Sequence, residues 1–466
     1  MAPHSASDSL DDLLSRVQES LDSGLLPVDV FNDPVVHERE LDRIFTRAWV
    51  FVGHDSEVPS PGDYVQRYIG NDAFVLVRGE DDEIRLLFDS CRHRGAQICR
   101  AEKGNASHFR CSYHGWTYKN SGQLAGAPLF RRAYGKGLDR SQWGLLSAPN
   151  LTNRHGFVFA SLDPDAPSFE DWMGDMLWYF DLLFGHAKDG WEVIGDPQRW
   201  VMDANWKIGA ENFTSDDYHT YFLHKSIEQL DLLDFVAEVE GTEYFHIQAG
   251  NGHALSHRLA PPGHEAPTFW YWPDDMFVPR FGPEMFDVAR RTIANVGTIF
   301  PNFSFITMPL QATRETGSVP LFGIRVWQPR TNDTVEIVNW VIAPKGLPPE
   351  VRELTRRTLI GTFGSSGIYD QDDSEPWGSI TQTAGTRFAR KVGMKLNYQM
   401  GMPGVGTSRR AAPDAHPGPG VKYIPALEEG QMRGYWRRWA QFMRPGKFPS
   451  AMSPEEQNGH IPLEKE

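Results

Sequence analysis

Two close pairs of cysteine and histidine carry the clearest chemistry in the chain. The first is Cys91-Arg-His93-Arg-Gly95. Seventeen residues separate His93 from Cys111-Ser-Tyr-His114-Gly-Trp116. Two thiolates and two imidazoles at such spacing make a metal centre. Thiolates hold iron–sulfur iron well, and two histidines replacing two cysteines on one iron raise its reduction potential. A structural zinc site is also built from two cysteines and two histidines. Zinc fingers, however, usually space their paired ligands more widely than Cys-x-His. Only Cys99 is left over from three cysteines. Three cysteines make no disulfide framework, so a reducing compartment fits best. Cys99 itself reads as a small buried apolar residue.

A second set of ligand types follows in Glu211-Asn-Phe-Thr-Ser-Asp216-Asp217-Tyr-His219 and, five residues on, His224. On a regular helix, positions five apart sit about 140° around the axis and share no face. The helix must therefore widen between the two histidines, as π-type bulges do, or end there. Two ordinary helix histidines are the plainer alternative. The acidic run Asp370-Gln-Asp372-Asp373-Ser-Glu375 supplies a third ligand type; it could equally be an acidic loop capping a helix. Two histidines and one carboxylate form the facial triad of non-haem iron(II) oxygenases, which leaves about three of six positions open.

Elements that must hold these residues are legible in part. Leu10, Leu13, Leu14, Val17 and Leu21 have helical spacing. Asp33-Pro34 reads as a cap and a first-turn proline. The helix after it is expected to turn Leu41, Ile44, Phe45 and Val50 inward and to leave Glu38, Glu40 and Arg43 in water. From Trp49 the period shifts to two, with strands at Trp49–Gly53, Tyr64–Tyr68, Ala73–Arg78 and Ile84–Phe88, and hairpin signals at Glu80–Asp82 and Asn120–Gly122. Two hairpin tips would then present the Cys-His pairs near the surface, where an electron-transfer partner can approach. Further on, helices are expected over 169–184, 207–224, 350–362 and 428–443. Strands are expected at Arg199–Trp206, Thr298–Phe300, Phe303–Thr307, Leu321–Trp327 and Val335–Ile342, with a loop over 403–420.

At 466 residues the chain exceeds one ordinary domain. We expect an α+β protein with N-terminal helices over 1–44 packing on the catalytic domain. An antiparallel β domain follows over 45–165 and a mixed α+β domain over 166–466. A net charge of −15 argues against nucleic-acid binding, which needs a basic patch. No leader segment or apolar run of about 18 residues stands out, so a soluble, cytoplasmic protein is expected. Gly401-Met-Pro-Gly-Val-Gly406 has the wrong spacing for a dinucleotide loop.

The first stretch resembles the Rieske motif of the Rieske non-haem iron oxygenases, including His-Arg-Gly and Tyr-His-Gly-Trp. The second resembles the α subunits of bacterial aromatic-ring dioxygenases. Asn205-Trp-Lys, Glu211-Asn-Phe and Asp216 to His224 stand in family order. The resemblance implies a 2Fe-2S cluster on Cys91, His93, Cys111 and His114, and a mononuclear Fe(II) on His219, His224 and Asp373, with Asp372 a non-ligand neighbour. It makes Asp216 the bridge from His219 to the Rieske histidine, His114, of an adjacent subunit, and sets Asn212 near the iron. Phe213, Phe363 and Tyr369 would line the substrate pocket. The chain departs from the pattern at Ser215, where relatives mostly have glycine, and by a second acid, Asp217. The implied fold is an ISP-like Rieske domain beside a helix-grip, START-like domain with a central antiparallel sheet.

The same resemblance implies a terminal oxygenase that adds both atoms of O2 to an aromatic ring, giving a cis-dihydrodiol. Electrons would come from NADH through a separate reductase and a ferredoxin. A small β subunit in an α3β3 hexamer is implied as well. The substrate would be a polycyclic aromatic hydrocarbon or an aromatic acid such as phthalate. The acid would need a cation, for which Arg258, Arg314 and Arg325 are candidates. A Rieske monooxygenase or demethylase would use the same metals. A Rieske electron carrier would need no second ligand set, and a zinc scaffold would be colourless.

Overall fold

The computed structural model describes residues 6–229, 240–265, 272–311 and 318–458. Phe45–Ala166 form one compact unit, and Met1–Ile44 join Pro167–Glu466 in the other.

The smaller unit is built from antiparallel strands with turn residues where the sequence has them. Ile84–Phe88, Asp72–Arg78, Asp63–Ile69 and Lys103–Asn105 form one sheet in that order. Val50–His54 pairs with Phe157–Ser161, which pairs with Asn150–Arg154. His108–Arg110, Thr117–Lys119 and Leu124–Gly126 make a third sheet. Only the second Cys-His pair sits on a hairpin tip. The first lies on the longer loop that crosses from the Ile84–Phe88 edge to Lys103–Asn105. Asp89 braces that loop: its carboxylate accepts from the backbone N–H of Ile98 and Cys99 at 3.0 and 2.8 Å, and from Gln66 and Gln97 at 3.0 Å each. Cys99 packs with Val75, Leu87 and Trp116 in the apolar centre of the unit, as its type suggested.

The larger unit holds a ten-stranded antiparallel sheet among the described residues. Trp191–Val193 and Gln198–Met202 both pair with Val335–Pro344. The order then runs through Ser318–Pro329, Phe303–Gln311, Thr292–Ile299, Ala254–Leu259, Glu243–Gln248 and Val421–Ile424 to Arg409–Arg410. The hairpin joining Glu243–Gln248 to Ala254–Leu259 was not anticipated. Its signal is Asn251-Gly252, both with positive φ (52° and 80°), the pair that two-residue hairpin turns prefer. The sheet presents period-two faces. Ser256 and Arg258, Ala294 and Val296, and Ile306 and Met308 share the face that borders the cavity described below.

Helices cover this sheet. Leu10, Leu13, Leu14, Val17 and Leu21 of Ala6–Leu21 are all buried. Asp33 caps the next helix, accepting from the N–H of Val35 and Val36, with Pro34 in the first turn. Glu40 departs from the expectation that it faces water: it is fully buried. Its carboxylate meets Lys207 Nζ at 2.7 Å and accepts from the indole N–H of Trp206 (2.9 Å) and Trp439 (2.7 Å). The helix Trp206–Asn212 lies hard against the sheet at Gly209, where a Cβ would stand 2.3 Å from the Trp327 ring. The expected helix over 169–184 is two, Phe169–Met173 and Met176–Phe184, broken at Gly174 (φ 50°). Residues 350–362 and 428–443 are helical to within two residues of expectation. No helix among the described residues is long and apolar enough to cross a membrane.

A directional hydrogen-bond chain runs beneath the sheet. Gly418 N–H donates to His416 Nδ1 (2.9 Å), which leaves His416 Nε2–H to donate to His257 Nδ1 (2.9 Å). His257 Nε2–H then donates to Thr292 Oγ1 (2.9 Å), whose hydroxyl donates to the Val288 carbonyl (2.9 Å). Each imidazole has one nitrogen donating and one accepting, so neither can take a proton without breaking the chain. Burial pushes His257 down to about 3 and, with the neighbouring His257, His416 to about 2. Unfolded histidines titrate near 6.5, so the unfolded state takes up protons first as pH falls. Stability is full above about pH 6.5 and is lost below it, at about 1.4 kcal/mol per pH unit for each such histidine. We expect Tm, followed by calorimetry, to fall between roughly pH 7 and pH 5, and His416→Gln to make that fall shallower by about one proton.

Candidate metal centres and the cavity beside them

Both Cys-His pairs adopt the same local turn. Gly95 N–H donates to the Cys91 carbonyl (2.8 Å) and Gly115 N–H to the Cys111 carbonyl (3.0 Å). Both glycines have positive φ, 74° and 70°, which closes the turn without a side-chain clash. The cysteines are buried and free, His93 is half-buried and His114 is exposed. The two imidazole rings come within 4.5 Å, centroid to centroid, and His93 stacks on Trp116 at 5.0 Å. His93 Nδ1 is buried without a hydrogen-bond partner. Burial raises the Cys91 thiol, which favours a thiolate only when a cation compensates it. An orphaned imidazole nitrogen beside paired buried thiols fits a bound cluster. Tyr118, unforeseen in the sequence, places its hydroxyl 3.3 Å from Cys91 Sγ and accepts from Arg92 N–H at 3.1 Å. Hydrogen bonds to cluster sulfurs tune the potential.

In the larger unit the chain does not run as one helix from 207 to 224. Trp206–Asn212 ends, a short helix Asp217–Thr220 follows, and His224 stands on the turn before Lys225–Gln229. Asn205 caps the first helix through Lys207 N–H, and Asp216 caps the second through His219 N–H. The break between the histidines brings them together, with ring centroids 5.0 Å apart. Asp373 arrives on Ile368–Ala384, a helix that was not anticipated because Pro376 lies inside it. Pro376 has no N–H for the Asp372 carbonyl.

His219, His224 and Asp373 each offer one atom, and those atoms lie within 4.8 Å of one another. Both Nε2 atoms approach the same carboxylate oxygen, Asp373 Oδ1, at 3.7 Å from His219 and 3.5 Å from His224. That oxygen is buried without a hydrogen-bond partner. Burial, against the pull of His219, pushes Asp373 up to about 7. Burial also opposes the protonation of His219, but the Asp216 and Asp373 carboxylates outweigh it and hold the group at about 9. His224 is pushed down to about 4 by burial and by the charge of His219. An orphaned carboxylate oxygen with two imidazoles aimed at it is a donor set that a divalent cation satisfies.

The other ring nitrogens are held too. Asn212 Nδ2 lies 3.4 Å from His219 Nδ1, which also meets the Asp216 backbone carbonyl and stands 3.6 Å from Asp216 Oδ2. Asp372 Oδ2 lies 3.4 Å from His224 Nδ1, an orienting contact that sequence position alone did not assign. Asp217 turns away from these histidines to His246 Nε2 at 3.0 Å. The site opens into a cavity. Phe213, Phe363 and Tyr369 line it, with Phe363 stacked on Tyr369 at 4.8 Å. Arg325 is not a free cation for a substrate. It is committed to Asp370 by two bonds of 2.8 and 3.1 Å. Arg258 lines the cavity, and Arg314 lies outside the described residues.

Ser215 has φ 98°, a value that a side chain resists and glycine tolerates. A serine at this φ costs stability that a glycine would not. We expect Ser215→Gly to stabilise the fold by about 1 kcal/mol in thermal unfolding, with iron content unchanged.

Comparison with known proteins agrees with this geometry. Residues 48–139 match the Rieske (2Fe-2S) domain, and residues 169–444 match the ring hydroxylating alpha subunit catalytic domain. The chain is 35% identical over 446 residues to the N,N-dimethyl phenylurea N-demethylase subunit alpha of Sphingobium sp. (strain YBL2), covering 93% of this chain and 95% of that one. It is 34% identical to the biphenyl dioxygenase subunit alpha of Paraburkholderia xenovorans (strain LB400), covering 91% of each. The crystal structure of naphthalene 1,2-dioxygenase from Rhodococcus sp. superposes with a TM-score of 0.87 at 40% identity, over 93% of this chain and 98% of that one. Two metal-binding constellations on the matching fold, under both domain signatures, make this chain an oxidoreductase of the ring-hydroxylating dioxygenase alpha subunit family, with a Rieske 2Fe-2S cluster and a mononuclear iron as its cofactors.

Proposed function

We propose that the chain is a terminal oxygenase α subunit that adds both atoms of O2 to an aromatic ring and releases a cis-dihydrodiol. The observation that carries this reading is the meeting of His219 Nε2, His224 Nε2 and Asp373 Oδ1 at one end of a largely apolar cavity. When bound there, iron(II) supplies the binding and reduction of dioxygen, with electrons supplied through the 2Fe-2S cluster.

The protein's own groups do the rest. Phe213, Phe363 and Tyr369, with Ala294, Val296, Ile306 and Met308, exclude water and offer flat apolar walls to a ring. Asn212, Asp216 and Asp372 hold the imidazoles through their outer nitrogens, which keeps both Nε2 atoms aimed inward. Asp216 keeps its side chain 30% exposed while standing beside His219, which suits a carboxylate that bridges to His114 of the partner subunit. Cys91, His93, Cys111 and His114 hold the cluster. NADH would feed it through a reductase and a ferredoxin, and a small β subunit would complete an α3β3 assembly.

Biphenyl and naphthalene name two relatives, so a polycyclic aromatic hydrocarbon is the first substrate to test, with an aromatic acid such as phthalate beside it. One observation favours a second reading: the 35% identical relative is an N-demethylase subunit alpha. A monooxygenase would place a single oxygen atom in its product.

Asp373→Ala should remove one iron per chain and leave the visible spectrum of the cluster intact. Colour lost with the third iron retained would overturn the ligand assignment. Labelled dioxygen offered with phenanthrene, in the presence of reductase, ferredoxin and NADH, should give a product carrying both labelled atoms. Loss of an N-methyl group from a phenylurea, with one labelled atom in the formaldehyde released and none in the demethylated urea, would establish the demethylase reading instead.

A further inference from the structure

We propose that Arg258 is a specificity residue: its guanidinium donates to a neutral oxygen acceptor, a ketone or amide carbonyl, carried on the aromatic substrate. The proposal rests on the ring-oxygenating reading of the same cavity.

Arg258 lies on the strand Ala254–Leu259, with Tyr244 opposite it on one side and Ala294 on the other. Its guanidinium carbon stands 4.7 Å from the Tyr244 ring centroid, a cation–π contact that holds the group over that ring. It borders the cavity beside apolar Ala294, Val296, Ile306 and Met308. A guanidinium carries five N–H donors. Among the described residues, no carboxylate or carbonyl accepts from those of Arg258. The neighbouring arginines differ: Arg291 bonds Asp287 and the Ala260 carbonyl, Arg290 bonds Glu265, and Arg325 bonds Asp370.

Water can satisfy Arg258 while the cavity is open. A bound ring expels that water. A bare hydrocarbon would then leave a cation desolvated and unpaired, which is costly, whereas an acceptor on the ring removes the cost. Sites with buried polar donors discriminate strongly against analogues that lack the partner.

Charge decides which acceptor. Asp216, Asp217 and Asp373 already border this cavity, and Asp217, bound to His246, feels the field of Arg258. With iron held at Asp373, a substrate carboxylate at Arg258 would still compete for that one guanidinium with Asp217 on the same cavity wall. A carbonyl dipole takes the same hydrogen bonds and adds no charge. Aromatic acids therefore suit the cavity less well than ketones or amides.

The test is equilibrium binding to the iron-loaded enzyme by calorimetry. The probes are 2-acetylnaphthalene, 2-ethylnaphthalene and 2-naphthoate, which share a ring system and differ in one substituent. We expect wild type to bind the acetyl compound about ten-fold more tightly than the ethyl compound. Arg258→Met should bring that ratio close to one, and Arg258→Lys should keep part of it. If Arg258→Met does not fold, a reduced ratio in Arg258→Lys carries the same conclusion, because the lysine keeps the charge and loses the fork. An unchanged ratio in a folded variant, or no preference in wild type, would overturn the proposal. Naphthoate as the tightest ligand, lost with Arg258, would overturn the neutral acceptor in favour of a carboxylate. The function reading fails separately, through absence of any oxygenated product when wild type turns over 2-ethylnaphthalene; the binding ratio does not depend on turnover.

Discussion

Glu40 is the constraint on which the catalytic unit rests. A carboxylate with no exposure is tolerated only when it is paired and hydrogen-bonded. Here Lys207 Nζ lies 2.7 Å away and two indole N–H groups donate to it. These partners come from two separate parts of the chain, and Glu40 from a third. Glu40 ends the second helix, Trp206 and Lys207 open the helix that leads to Asn212, and Trp439 sits in Gly430–Met443. The start of the metal-bearing segment is thus fixed by groups at both ends of the sequence. Removal of any one partner would leave a charge or a donor stranded in a dry interior, which costs more than the contact itself is worth.

From that anchor the site follows by short steps. Asn205 caps the helix that begins at Trp206, and the same residue's N–H donates to Thr381 in the helix that carries Asp373. Arg325 ties Asp370 in that helix down to the sheet. The two histidine-bearing turns and the carboxylate-bearing helix are therefore referenced to one framework. Their convergence within a few ångströms needs no further device.

Sequence made the ligand types legible because metal chemistry restricts them to few residues at short spacing. Cys91, His93, Cys111, His114, His219 and His224 stand out on that ground, whereas Asp373 was singled out from its acidic run only by the family resemblance. The capped helix at Asp33-Pro34 and the strands between residues 49 and 88 were readable for a local reason, since turn residues and period-two runs act within a few positions. Features that depended on distant partners were not. Glu40 looked like a solvated charge because Lys207 and Trp439 lie far along the chain from it. The helix around Asp373 was hidden by Pro376, whose ring argues against helix in any local window. The strands around Asn251-Gly252 were missed although the dipeptide was in view. Arg325 and Arg258 are identical in type, and only tertiary contacts separate the paired one from the one that borders the cavity.

The cavity floor and the metal triad ride on different elements. The floor is one face of three adjacent strands, with alternate residues pointing into the cavity and their neighbours into the opposite layer. The triad comes from helices and a turn. Exchange of a floor side chain changes what the cavity recognises and leaves register, backbone and metal ligands where they were. Such a division lets substrate range drift by single substitutions at a handful of positions, each nearly independent of the others, while the oxygen chemistry is inherited intact.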